Sequence, residues 1–145
     1  MVCLALLALA GCGEGEGVAE DAVVAIYVAA PMCAEAQTEL AEAGAAEGEL
    51  RVRALCLDPV ERGGGLDLAR VGANARRATE DSTAIAFIEQ EGPAGRFSQP
   101  IVDSAGIAWI HATSGASAVQ RVLAAVEESD SSSLRASVHE SLASG

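Results

Sequence analysis

The feature that most restricts this chain is a run of eight residues with no charge and no break, Val23-Val24-Ala25-Ile26-Tyr27-Val28-Ala29-Ala30, stopped by Pro31. A strand with one wet face alternates apolar and polar residues. A strand apolar throughout is covered on both faces, which is the situation of a central strand in a parallel sheet. Residues 83–88 repeat the pattern, and residues 107–110 do so after the break at Gly106. Residues 50–57 differ: Arg51 and Arg53 point to one face while Val52, Ala54 and Cys56 point to the other. Charges on one face suit a strand at the edge of a sheet.

Helical patterns separate these strands. Residues 33–43 place Glu35, Glu39 and Glu42 among alanines and Leu40, an amphipathic helix closed by Gly44. A loop over residues 58–65, with Pro59 and three successive glycines, leads to a helix over 67–80 whose apolar side runs through Leu68, Val71, Ala75 and Ala78. Further helices are predicted over 94–105 and 117–128, and a run of serines opens a last amphipathic segment, 134–142. Strand and helix in alternation with short links predict an α/β fold of three layers, a parallel four-stranded sheet with helices on both faces. Right-handed crossovers, with the charged second strand at the edge, give the order 2-1-3-4, a flavodoxin-like half-lobe. The switch point, where such sheets hold ligands, then lies between strands 1 and 3. It is lined by Pro31 and Met32, by residues 90–92 and, beyond strand 4, by residues 112–115.

Composition narrows the chemistry. Nine basic residues, all arginine, stand against 21 acidic ones for a net charge of -12, so a nucleic-acid partner, which asks for a clustered positive surface, is not expected. The absence of lysine from the sequence removes a P-loop and any Schiff-base chemistry. No cofactor is expected.

The first twelve residues stand apart from the fold. The apolar run at 2–10 is shorter than the roughly 20 residues of a membrane span and matches the core of an export signal. It ends in Leu9-Ala10-Gly11-Cys12, which resembles a bacterial lipobox. That resemblance implies a signal peptide over residues 1–12, lipidation at Cys12, and an extracytoplasmic protein held to the bacterial cell membrane by its lipid alone. No arginine or lysine precedes the run, and we expect the native start to lie further upstream. Residues 13–22, opening Gly13-Glu14-Gly15-Glu16-Gly17, read as a flexible acidic tether.

Export sets the reading of the cysteines. With Cys3 in the signal and Cys12 lipidated, Cys33 and Cys56 remain, and two thiols in an oxidising compartment predict one disulfide. Strands 1 and 2 are neighbours that finish on the same side of the sheet, which brings the two residues to one rim. A zinc site would need further ligands.

Several segments also carry a family resemblance in their order and spacing. They are Val24-Ala25-Ile26-Tyr27-Val28-Ala29-Ala30-Pro31, Asp67-Leu68-Ala69 through Ala73-Asn74-Ala75-Arg76-Arg77, Ala84-Ile85-Ala86-Phe87-Ile88, Pro100-Ile101 with Ala105-Gly106-Ile107, and Ala112-Thr113-Ser114-Gly115. Over residues 23–117 they resemble the N-terminal lobe of type I periplasmic binding proteins, the leucine/isoleucine/valine-binding components of ABC importers. The resemblance implies a lobe over 23–128, and the serine-rich stretch that follows reads as a helical tail over 129–145. The resemblance also implies an amino acid or similar small solute held by small hydroxyl residues and backbone after strands 3 and 4, at Ala94, Gly95, Ala112, Thr113 and Ser114. Implied partners are an ABC permease and a separately encoded second lobe. Glu89 and Glu91 depart from the pattern, because two carboxylates repel a substrate carboxylate at short range. The family's chain also crosses to a second lobe and returns, whereas this sequence stops within the first, so binding is expected to be shallow and weak.

Other polar residues have structural readings. His111, at the end of a strand, is a hydrogen-bonding residue more often than a ligand contact. Asp58 is a loop aspartate, and Asp67 suits a helix N-cap. Ser104, Ser114 and Ser117 have no histidine and acid around them and no nucleophile elbow, so catalysis is not expected. The alternative to a solute-binding lipoprotein is a membrane-anchored α/β interaction domain with no small-molecule ligand.

Overall fold

A computed structural model describes residues 22–129 and 133–144; the apolar leader, Cys12 and the tether up to Asp21 lie outside the described residues. Four parallel strands form the main sheet in the order β2-β1-β5-β6: β1 (Val23–Val28), β2 (Arg51–Cys56), β5 (Ala84–Gln90) and β6 (Ala108–Ala112). This is the winding expected from the sequence, with the charged strand at an edge and β1 paired on both sides.

Alternation along β1 builds two cores. Val24, Ile26 and Val28 pack under α1 (Ala30–Glu42), α4 (Gly115–Glu127) and α5 (Leu134–Ala143). Ala25 and Tyr27 face the other way, against α2 (Leu68–Thr79) and α3 (Gly95–Ser104), joined by Phe87 and Val102. The last helix belongs to the first core: Val138 is fully buried, and Arg135 Nη2 donates to the carbonyls of Asp81 and Ser82 at 3.0 and 2.6 Å. Asp81 closes the amino end of β5, accepting from Thr83 N at 2.8 Å and from the Tyr27 hydroxyl at 2.9 Å.

The structure corrects several boundaries. Pro31 does not end a strand; it sits in the first turn of α1, which begins at Ala30, where a residue without an N–H forgoes no helical bond. Gly44, at φ 68°, ends that helix as expected. The segment over 58–65 is not plain loop, since β3 (Glu61–Arg62) and β4 (Gly65–Leu66) pair as a hairpin. Its turn residues Gly63 and Gly64 have φ of 60° and 81°, the left-handed pair that a two-residue hairpin turn demands. On α2 the Asp67 side chain caps Arg70 N at 3.1 Å, but Leu68 is 53% exposed, and Asn74 takes an inward position instead. Strand β5 runs on to Gln90 and β6 to Ala112, so Glu89 and His111 lie within strands.

Cys33 and Cys56 are bonded, with Cα atoms 5.5 Å apart. Cys56 pairs with Val28 across the β1–β2 ladder, and Cys33 lies in the first turns of the helix that leaves β1, so the bridge crosses one strand spacing. With its ends 23 positions apart in the sequence, it removes about 3 kcal/mol of loop freedom from the unfolded chain.

Candidate functional site

The carboxyl ends of the strands form a rim whose two sides differ. On the α1/α4 side the crevice is closed. A Cβ on Gly115 would collide with the carbonyl oxygen of Met32, so the two helices meet backbone to backbone through a position only glycine fits. Glu35 then reaches across to the start of α4: its Oε1 accepts from Ser114 Oγ at 2.7 Å and its Oε2 from Gly115 N at 2.9 Å. The Ser114 hydroxyl and the Gly115 amide hold the Glu35 carboxyl below its ordinary value of 4.5. A carboxylate at a helix N-terminus also meets the positive end of the helix dipole. Ser114 doubles as the N-cap, accepting from Ser117 N at 3.3 Å.

On the α2/α3 side a cavity of about 150 Å³ opens between the ends of β1, β2 and β5. Ala30, Pro31, Leu57, Val60 and Ala94 supply its apolar walls. Asn74 fastens the loop after β2, donating to the Asp58 carbonyl at 2.8 Å and accepting from Asp58 N at 3.3 Å. Arg70 pairs with the Asp58 carboxylate at 3.0 Å on the outside.

Glu89 lines the same cavity and is 5% exposed. Being in register with Phe87, it faces α3. Its Oε2 accepts from Trp109 Nε1 at 2.9 Å and, through a short contact, from Ser98 Oγ. Both donors are neutral and both bind one oxygen. Glu89 is expected from the sequence to repel a substrate at the mouth of the crevice; the structure sinks it beneath Trp109, while Glu91 remains exposed.

The residues expected to hold a ligand are divided by this geometry. Ala94 lines the cavity, whereas Gly95 lies under Trp109, where a Cβ would come 2.6 Å from the ring, so packing alone accounts for that glycine. Ala112 ends β6, Thr113 is exposed, and Ser114 is engaged by Glu35; none of the three lines the cavity. His111 Nε2 accepts from Gly92 N at 3.1 Å, and its ring stacks on Trp109 with centroids 5.1 Å apart, the structural role read from the sequence. Asn74 and the loop from Leu57 to Glu61 were missed; a polar residue on the inward side of α2 was the signal. Among the described residues no group of three His, Cys, Asp or Glu side chains is placed to hold a metal ion, and no helix is long and apolar enough to cross a membrane.

Comparison of the chain with protein-family models, with curated proteins and with solved structures finds no match.

Proposed function

We propose that this protein is a lipid-anchored, extracytoplasmic solute-binding module, related to the first lobe of the branched-chain amino-acid binding components of ABC importers. The observation that carries the reading is the cavity at the carboxyl ends of β1, β2 and β5, since doubly wound sheets hold small ligands outside these ends at the switch point. The segment resemblance over residues 23–117 and the Leu9-Ala10-Gly11-Cys12 motif support it. The related binding proteins suggest that a substrate carboxylate belongs at Thr113 and Ser114. Here Glu35 supplies a carboxylate to Ser114 and to the start of α4 from within the chain. Branched-chain amino acids should therefore bind the chain alone weakly or not at all.

Calorimetry of the Cys12→Ala chain against leucine, isoleucine and valine tests this. A dissociation constant near 1 µM, about 8 kcal/mol, is more than an open site with a few hydrogen bonds of roughly 1 kcal/mol each should reach. Micromolar binding would overturn the reading of Glu35 as an internal substitute. The anchor has its own test: radiolabelled palmitate should appear on the wild type and vanish in Cys12→Ala, and label on neither would remove the lipoprotein assignment.

A second reading, an anchored interaction domain, has the outer edge of β6 in its favour. Among the described residues β6 pairs with β5 alone, and an open edge can accept a strand from a partner.

A further inference from the structure

We infer that the cavity beside Glu89 is a site for a small primary ammonium carried on a short alkyl chain. This rests on the reading of that cavity as the solute site and names the class of solute it takes.

The carboxylate is the first ground. Glu89 is buried, and the described residues give its Oε2 two hydrogen bonds and its Oε1 none. No buried side-chain oxygen among the described residues lacks a partner, so Oε1 is open to space, and the space that Glu89 lines is the cavity. A carboxylate taken from water needs a cation or a full set of donors, and here it has only neutral donors on one side.

The surroundings are the second. Asp58 and Glu61 join Glu89 in the lining, and no basic side chain does. Arg70 meets Asp58 from outside the cavity. With a net charge of -12 on the whole chain, the field at this rim favours a cation and disfavours an anion or a zwitterion whose carboxylate must follow its ammonium inside.

Size and shape complete the case. A cavity near 150 Å³ takes an apolar body of roughly six heavy atoms, and the walls at Pro31, Leu57, Val60 and Ala94 suit an alkyl chain. An ammonium donating to Glu89 Oε1 with its chain along these walls satisfies both halves of the lining. A charge-assisted hydrogen bond is the strong kind.

The chain's single tryptophan reports on the site, because its indole N–H is bonded to Glu89. The experiment titrates the Cys12→Ala chain at neutral pH and constant chloride with n-butylamine hydrochloride, 1-butanol and sodium butyrate, read by Trp109 emission and by calorimetry. The expected result is saturable binding of n-butylamine at least about tenfold tighter than either isostere, a factor that one charge-assisted bond supplies. Glu89→Gln, which keeps an oxygen for Ser98 and Trp109, should lose that preference. Val60→Arg, at a half-exposed position in the lining, should lose it with Glu89 intact, because the guanidinium competes for the carboxylates.

Preferential binding of butanol or butyrate would overturn the ammonium inference while leaving a solute site standing. Silence from all three probes would overturn the inference and the solute-site reading together. An n-butylamine preference that survives both Glu89→Gln and Val60→Arg would also overturn it. Nα-acetyl-lysine methylamide identifies the source of the ammonium: binding of n-butylamine without it supports a free amine, and binding of both supports a lysine presented by a peptide.

Discussion

Glu35 and Glu89 stand at the same rim of one sheet, on opposite faces, in opposite conditions. Glu35 is exposed yet has a donor on each oxygen, Ser114 Oγ and Gly115 N. Glu89 is buried yet has its donors on one oxygen only. The usual relation between burial and satisfaction is reversed, since the exposed carboxylate has a donor on each oxygen and the buried one has donors on a single oxygen. The α1/α4 side is finished as structure, its helices in backbone contact; the α2/α3 side keeps an unfilled space and, among the described residues, a carboxyl oxygen with no hydrogen-bond donor. Completed hydrogen bonding marks a part of the rim given over to holding the fold, and incomplete bonding beside a cavity marks a part available to a ligand.

The sharpest way to break this contrast is Gly115→Ala. The added methyl meets the Met32 carbonyl, which is backbone and cannot swing aside, so the closed side should lose about 3 kcal/mol or more in denaturant unfolding. An unchanged midpoint would show that α1 and α4 are free to separate. Next is the double variant Cys33→Ser with Cys56→Ser, expected to lose about 3 kcal/mol relative to the oxidised protein. Reductant should lower the wild-type midpoint and leave the variant unmoved.

Gly95→Ala makes the matching test on the open side. Its methyl meets the Trp109 ring, a side chain that can tilt, so the expected loss is smaller, roughly 1–2 kcal/mol. It should come with a shift in Trp109 emission as the bond to Glu89 is strained, and a loss as large as that of Gly115→Ala would erase the distinction between the two sides. The smallest effect should be that of Glu35→Gln. The folded state holds the Glu35 carboxyl below its ordinary 4.5, so its contribution is present above that pH and fades as acid protonates it in the fold. Wild type and variant should differ in thermal midpoint near neutrality and converge in acid; a gap that widens in acid would contradict the bonding described.

The sheet was legible because its signals are local and redundant: β1 is apolar throughout, β2 carries Arg51 and Arg53 on one face, and the alternation of elements leaves few windings. The disulfide followed from that winding. Residue pairs were harder to read. The bonds from Ser114 and Gly115 to Glu35 join parts of the chain 79 and 80 residues apart, and no spacing rule connects them. Glu89 reads from the sequence as a carboxylate repelling a substrate at the crevice because acidic residues are rarely buried, and its bonds from Trp109 and Ser98 accompany a burial that no local pattern announces. The Gly63-Gly64 turn was readable and was missed, since two glycines between short segments are a hairpin signal.

The bridge between Cys33 and Cys56 has a bearing on the cavity as well as on the unfolded chain. Ala30 and Pro31, just before Cys33, form one wall, and Leu57, just after Cys56, forms another. The spacing of those walls is therefore fixed by a covalent bond and not by packing alone. Thiols in the surroundings act on the width of the mouth through that bond, and a reducing medium should loosen the grip on a small guest before it melts the sheet behind it.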